Sequence, residues 1–526
     1  MPRCMQHNMP SASEPAAPRA LTAGTWVGFA AMCTGMFMAI LDIQVVATSL
    51  PTIQGALGIA ADQMSWVQTA YLIAEVIAIP LTGLLTRMLS MRWLFVVAIA
   101  VFTLASLGCA ASGSFSGLVA WRVVQGFSGG TLIPAVFSAV FLLFPVRRRG
   151  VATMLAGVLA VLAPTVGPVV GGWITETYSW HWLFLVNVLP GLLSAGLASL
   201  LLPKAALRLQ EVRTLDLASL VMMATALAAL EIALKEAPAR GWTAGLVIGL
   251  LALSAASLGG FVGRTRGARH PIVDLGSFAH RNFAIGCVLS FVLGIGLFGS
   301  VYLMPVFLAF VRHHNALEIG AIMLVTGTAQ LVMAPVAVIL EQRLGARLLT
   351  AAGFALFALG LGLSAWQTPQ TDFAGMFWPQ VIRGVAIMFC LLPPTRLALG
   401  NLEPRRVPDA SGLFNLMRNL GGAIGIALID TVIYSRSATH GSEIARGLLA
   451  GDTETARDIG LPLDLFAAAD PLDPVTQALV QPLIETAALA RAIADAWGLI
   501  AALTIAALIC VPFARRAPAQ PVGPPG

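Results

Sequence analysis

The sequence predicts an all-α polytopic membrane protein, and three observations carry that reading. Hydrophobic residues make up 58% of the 526-residue chain and charged residues only 11%, far below the roughly 25% charge of a soluble domain. The apolar residues gather into fourteen stretches, each near the ~20 residues that a helix needs to cross a hydrocarbon core about 30 Å thick. The basic residues are scattered over short connections and form no basic face, so the net charge of +6 speaks for membrane topology and against nucleic-acid binding.

In chain order the stretches fall at about 26–50, 64–86, 93–111, 116–144, 150–174, 182–202, 215–234, 243–263, 283–310, 317–340, 347–365, 373–400, 409–435 and 493–514. The Pro- and Ala-rich residues 1–24 hold no apolar core ahead of a cleavage site, so the first helix is expected to anchor the chain uncleaved. An even number of spans puts both termini on one side. With that side taken as cytoplasmic, the termini and inner loops hold 21 of the 31 Lys and Arg residues and the outer loops seven, as the positive-inside rule requires. Trp26, Trp93, Trp173, Trp182, Trp242 and Trp497 lie near segment ends, where interfacial anchors belong. The six cysteines show no paired spacing and read as small buried residues.

A duplication is legible. The loop "TRMLSMRWL" after segment 2 has a counterpart, "QRLGARLL", after segment 10, and a membrane-embedded arginine follows in each half, Arg122 in segment 4 and Arg383 in segment 12. Residues 25–202 would form one six-helix bundle, 203–270 a linker with an inserted helix pair, and 271–514 a second bundle with a long outer loop at 436–492. Such a two-fold build is common in transporters. That loop is expected to carry short amphipathic helices and no span; residues 1–24 and 515–526 are the cytoplasmic tails, the second disordered.

Ionised groups in a bilayer are costly and so mark candidate sites. Helix rise puts Asp42 about 24 Å beyond Trp26 and Arg122 about 9 Å from the start of segment 4, at similar depth in the outer half, where they can meet as a functional pair, a gate or a structural charge pair. Glu75 lies near mid-depth with no basic residue one turn away. It is a candidate for proton or cation binding, or a neutral acid bonded to a neighbouring helix. Asn415, Arg418 and Asn419 bring polar groups to segment 13, lining a cavity or bonding across helices. Asp430 and Glu231 are read as reaching water from helix ends. Pro164, Gly167, Pro168 and Gly171 share one face of segment 5, and Arg122, Gly126 and Gly130 recur every four residues; close packing accounts for both stripes. No Walker lysine, zinc-like His pair or nucleophile elbow is present in the sequence, so neither ATP hydrolysis nor catalysis is expected.

At these residues the chain resembles the major facilitator superfamily, specifically its fourteen-helix drug:proton antiporter branch of the EmrB/QacA type, over roughly residues 25–514. "LDIQVVATSLP", with Asp42, resembles the segment 1 motif. "WRVVQGFSGGTLIPA" resembles motif B, with Arg122, Gln125, Gly126 and Gly130, and "APTVGPVVGGWI" resembles the antiporter motif C, with Pro164, Gly167, Pro168, Gly171 and Gly172. Motif A, close to G-x-L-a-D-R-x-G-R-[RK] in the family, reads "GLLTRMLSMRWL": Gly83, Arg87 and Arg92 are kept, and Thr86 and Ser90 are read at the Asp and second Gly positions.

The resemblance implies a major facilitator fold of two six-helix bundles plus two inserted helices, working by alternating access in a bacterial inner membrane. Outside protons would reach Glu75 or the Asp42–Arg122 pair and drive export of lipophilic compounds, with protons as the coupling ion and no cofactor. It further implies a periplasmic adaptor and an outer-membrane channel as partners. Met, Phe and Leu side chains suit an adaptable apolar cavity, although most must face lipid. A dedicated exporter of a siderophore, fatty acid or sugar derivative is the competing expectation. A non-transporting receptor would carry a sizeable cytoplasmic domain, and the inner loops here are short.

Overall fold

The structure, a computed structural model, describes residues 22–59, 61–204, 216–268, 271–461 and 474–514. Cys4, most of the N-terminal tail, part of the 203–270 linker, part of the outer loop and the tail 515–526 lie outside the described residues. Among those described there are helices and no strands, as a hydrocarbon solvent dictates, because a helix satisfies its own N–H and C=O groups.

The helices are α1 (Ala23–Leu57), α2 (Ala61–Ala110), α3 (Phe115–Leu143), α4 (Val146–Thr177), the short α5 (Trp182–Leu185), α6 (Val188–Leu201), α7 (Leu217–Arg240) and α8 (Gly245–Gly267). After them come α9 (Arg281–Phe310), α10 (Ala316–Leu344), α11 (Ala346–Ser364), α12 (Phe373–Leu399), α13 (Val407–Leu449), α14 (Thr453–Asp458) and α15 (Pro474–Ala507). Side-chain caps set several starts: Thr22, Ser114 and Asp216 accept from backbone N–H groups of the first turn, and Asn315 with Glu318 closes a capping box on α10. Among the described residues, thirteen helices are long and apolar enough to cross a membrane. One of them, α2, is broken at Ser90, with φ 66° and ψ 160°, and so supplies two passes, making fourteen in all.

The duplication is written into the backbone. Gly345, between α10 and α11, has φ 80° and ψ 153°, nearly the same conformation as Ser90 between the two parts of α2. One apolar cluster gathers around Phe29, Phe95, Phe102 and Phe137, and a second around Phe307, Phe354 and Phe357. The inserted pair sits outside: Ser254 of α8 donates to the Ala226 carbonyl of α7 at 2.8 Å, while Leu246, Ile248 and Leu253 of α8 are exposed, as a lipid-facing helix requires.

Three expectations are corrected. The stretch 436–492 is not mainly a loop with short helices: α13 runs on to Leu449 and α15 begins at Pro474, and among the described residues between them lies the short α14. Beyond the apolar segment these helices bury Ile444, Leu448, Ala456, Ile459, Ala487 and Ala488 together, which repays continuing the helices into solvent. Glu231 lies about 14 Å from the end of α7, not at a helix end. Trp497 is no interfacial anchor, being fully buried under the Arg383 guanidinium, 4.6 Å from its ring. Cys33, Cys109, Cys287, Cys390 and Cys510 are free thiols.

Candidate functional site

Asp42 and Arg122 meet. Asp42 projects from α1 and Arg122 from α3, both side chains fully buried, and Arg122 Nη1 donates to Asp42 Oδ2. The other carboxylate oxygen accepts from Gln125 Nε2 at 3.0 Å and from Asn187 Nδ2 at 2.8 Å. Arg122 also donates from Nε to the Val67 carbonyl at 3.1 Å and from Nη1 to Gln125 Oε1 at 2.7 Å. Its guanidinium lies 4.2 Å from the Tyr71 ring centre. Gln125 Nε2 reaches Ser106 Oγ at 2.9 Å. A buried charge pair depends on partners for its remaining donors and acceptors; here α1, α2, α3 and the turn before α6 supply them for every polar atom of the pair except Arg122 Nη2, which is buried without an acceptor. Asn187, an isolated amide in "FLVNVLPGLL", is the partner that the sequence reading missed; a lone Asn in an apolar segment is the signal that finds it.

The glycine stripe of α3 explains how the arginine gets there. A Cβ on Gly126 would stand 2.2 Å from the Tyr71 carbonyl oxygen, and one on Gly130 2.5 Å from that of Glu75. The two helices therefore touch backbone to backbone, which holds Arg122 over Tyr71. Glu75 is buried on the same stretch of α2, one turn beyond Tyr71, and α7, which carries Glu231, packs against α2. The inserted pair thus brings a second acid toward the first bundle.

On α4, Pro164, Gly167, Pro168, Gly171 and Gly172 are buried within an unbroken helix. Gly167 admits Gln44 of α1, its added Cβ falling 2.4 Å from Gln44 Cβ, while Thr165 packs on Gly327 of α10. The motif C helix is therefore wedged between the first bundle and the second.

Motif A takes a form that the sequence reading misplaced. Counted from Gly83, with Ser90 in the second glycine place, the family's acid falls on Arg87 and not on Thr86. The Thr86 hydroxyl is spent on the Thr82 carbonyl of its own helix at 2.6 Å. Arg87 instead pairs with Asp409 in the first turn of α13, and its Nη2 reaches the Pro271 and Ile272 carbonyls at 3.4 Å each. A Cβ on Gly83 would stand 1.9 Å from Asp409 Oδ1. An ion pair therefore joins the halves here, with the base on the first half and the acid on the second. Arg92 lies 5.5 Å from the Trp93 ring centre, and its Nε has no acceptor.

Between the halves, Ser411 of α13 donates to the Pro134 carbonyl of α3 at 2.9 Å. One turn on, Asn415 accepts from Arg418, whose guanidinium lies 5.4 Å from the Phe137 ring of the first half. Asp430 accepts from Tyr302 at 2.7 Å. In the second half the register is shifted: a Cβ on Gly384 would meet the Thr326 carbonyl of α10 at 2.5 Å, as Gly126 meets Tyr71. Arg383 therefore stands in the place of Gln125, and Gln380 in that of Arg122.

Residues 32–426 match the Major Facilitator Superfamily profile. The chain is 38% identical over 427 residues, 80% of its length and 83% of the relative's, to the colistin resistance protein EmrB of Acinetobacter baumannii. It is 30% identical over 424 residues, 80% and 82% of the two lengths, to the multidrug export protein EmrB of Escherichia coli. Among solved structures it superposes on the human organic anion transporter MFSD10 with a TM-score of 0.60 at 14% identity, over 93% of this chain and 100% of that one, a likeness of fold. With its duplicated helical halves, its fourteen passes and these relatives, the chain belongs to the major facilitator superfamily, in its EmrB branch.

Proposed function

We propose that this protein is a proton-driven exporter of lipophilic small molecules, and the observation that carries the reading is the enclosed Asp42–Arg122 network. Its four polar side chains come from α1, α3 and the start of α6. Adding one proton to Asp42 removes the charge that Arg122, Gln125 and Asn187 converge on, so protonation and helix packing are coupled at one atom. Glu75 is the second carboxyl that a proton from outside reaches on this reading, and the α2–α13 latch is the contact that the cycle makes and breaks. Protons are the coupling ion and no cofactor takes part; the protein is a carrier and not an enzyme.

The termini face the cytoplasm of an inner membrane on this reading, which the Lys and Arg distribution supports. The latch then closes the cytoplasmic side. The extensions of α13 and α15, tied by Arg436 and His440 to Asp495 at 2.8 Å each, form the platform for a periplasmic adaptor and its outer-membrane channel.

The test is uptake of a fluorescent lipophilic drug into inverted membrane vesicles under an imposed proton gradient, with wild type beside Asp42→Asn, Glu75→Gln and Arg122→Ala. Gradient-dependent uptake lost in the Asp42 variant supports the coupling role. Wild-type vesicles that move nothing across a broad panel would sink multidrug export and leave a dedicated metabolite carrier in its place.

A further inference from the structure

Among the described residues, the second bundle holds a buried cation that pairs with no acid. Arg383 is 2% exposed and lies about 15 Å along α12 from Phe373. Where Arg122 meets a carboxylate, Arg383 meets only a thioether: its Nη2 donates to Met304 Sδ of α9 at 3.2 Å. Its Nε and Nη1 are buried without an acceptor. The neighbouring groups are donors as well. Gln380, fully buried one turn earlier, has its carbonyl oxygen engaged by Thr326 Oγ1 at 3.1 Å, which leaves its Nε2 amide without an acceptor. The Trp497 indole Nε1, on α15, is likewise buried and without an acceptor, beside the ring on which the guanidinium rests.

Four buried N–H donor atoms without acceptors, on three side chains of which one is charged, therefore lie in the same part of the second bundle: Gln380 one turn before Arg383 on α12, and Trp497 under its guanidinium. An unpaired buried cation costs several kcal/mol, and each orphaned donor adds to that. A water molecule would satisfy hydrogen bonds and leave the charge; an anion answers both. We propose that Arg383, Gln380 and Trp497 hold one small monovalent anion of the halide class inside the second bundle, doing there by ligand what Asp42 does by side chain in the first. Its small size follows from the enclosure: Gln380 and Trp497 are 0% exposed, and α10 and α11 press on α12 at Gly384 and Gly360, so a bulky headgroup has no way in. The anion ties α12 to α9, α10 and α15, and the proposal does not depend on what the protein exports.

The test is thermal unfolding of the purified, detergent-solubilised protein in sodium gluconate, with sodium chloride substituted at constant ionic strength. The expected result is a saturable rise in the midpoint with chloride, reproduced by bromide and absent with sulfate. Arg383→Gln is expected to abolish the rise. Should that variant not fold, Trp497→Phe and Gln380→Leu each remove one donor and keep the bulk. Each should raise the chloride concentration for half effect about tenfold, since a hydrogen bond to a charged group contributes about 1.5 kcal/mol or more. A midpoint indifferent to chloride would overturn the proposal, as would a chloride effect of unchanged affinity in both single-donor variants. A midpoint indifferent to chloride but raised by laurate would overturn it in favour of a carboxylate-bearing substrate.

Discussion

Ser90 and Asp42 show how single residues carry this fold. Ser90 holds a backbone conformation, positive φ with extended ψ, that is nearly confined to glycine and costs other residues about 1–3 kcal/mol. Its repeat partner Gly345 meets the same demand without a side chain. Ser90→Gly is therefore expected to stabilise the protein by about 1 kcal/mol, the relief of strain outweighing the extra freedom of the unfolded chain, and a lowered thermal midpoint would contradict this. Asp42→Asn goes the other way. It keeps the shape of the side chain but strands the Arg122 charge in a fully buried site, which costs about 3–5 kcal/mol when one partner of a buried pair is lost. A variant that unfolds at the wild-type temperature would show that the pair carries no such energy.

Between elements, stability rests on close backbone approach and on a few ion pairs. α2 and α13 approach at Gly83, where even a methyl group would collide with the Asp409 carboxylate. Gly83→Val is thus expected to hold the two helices apart and to abolish transport while leaving each bundle folded. Arg87→Asp or Asp409→Arg alone should cut the transport rate steeply by placing like charges at the latch, and the double exchange should restore much of it. If the double variant is no better than the singles, the pair is not the latch. The inserted helices are joined differently, through a bidentate contact in which Arg264 of α8 donates to Asp216 at 3.1 and 2.9 Å. That hydrogen bonding from Arg264, with help from Ser219, holds the Asp216 carboxyl well below the usual carboxylate range. A group shifted in this direction contributes its stability above its unfolded pKa of about 3.9 and loses it as acid titrates the folded state. The thermal midpoints of wild type and Asp216→Asn should therefore differ by a constant small amount at neutral pH and converge only below about pH 4.

The whole molecule divides into a transporting core and an extension. α13 is 43 residues long, about 65 Å of helix, roughly twice the hydrocarbon thickness, and its far end packs on α14 and α15. Replacing the region beyond residue 440 up to about 487 by a short flexible connection should leave gradient-driven uptake into vesicles intact, because the network, the latch and the wedged α4 all lie elsewhere. On the adaptor reading it should abolish resistance in whole cells. Loss of vesicle uptake in this variant would instead make the extension part of the transport cycle.

The sequence by itself determined the all-helical class, the fourteen passes and the family, because a bilayer admits few solutions for apolar stretches of this length and the motifs stand in family order. It also singled out Asp42, Arg122 and Arg383, since a charge in an apolar run is conspicuous without any partner in view. Partner identity was settled only by the tertiary structure. Asn187 completes the Asp42 site from 145 positions away, Asp409 supplies the latch acid from 322 positions away, and Trp497 leaves its expected place at an interface to cover Arg383. Contacts of that kind depend on which helix faces meet, and helix rotation in a bundle is set by small-residue stripes and shape, to which hydropathy along a single chain is nearly blind. The long ends of α13 and α15 escaped the sequence for a related reason: outside the bilayer a helix is held by the neighbour it packs on, and that neighbour is visible only once the chain is folded.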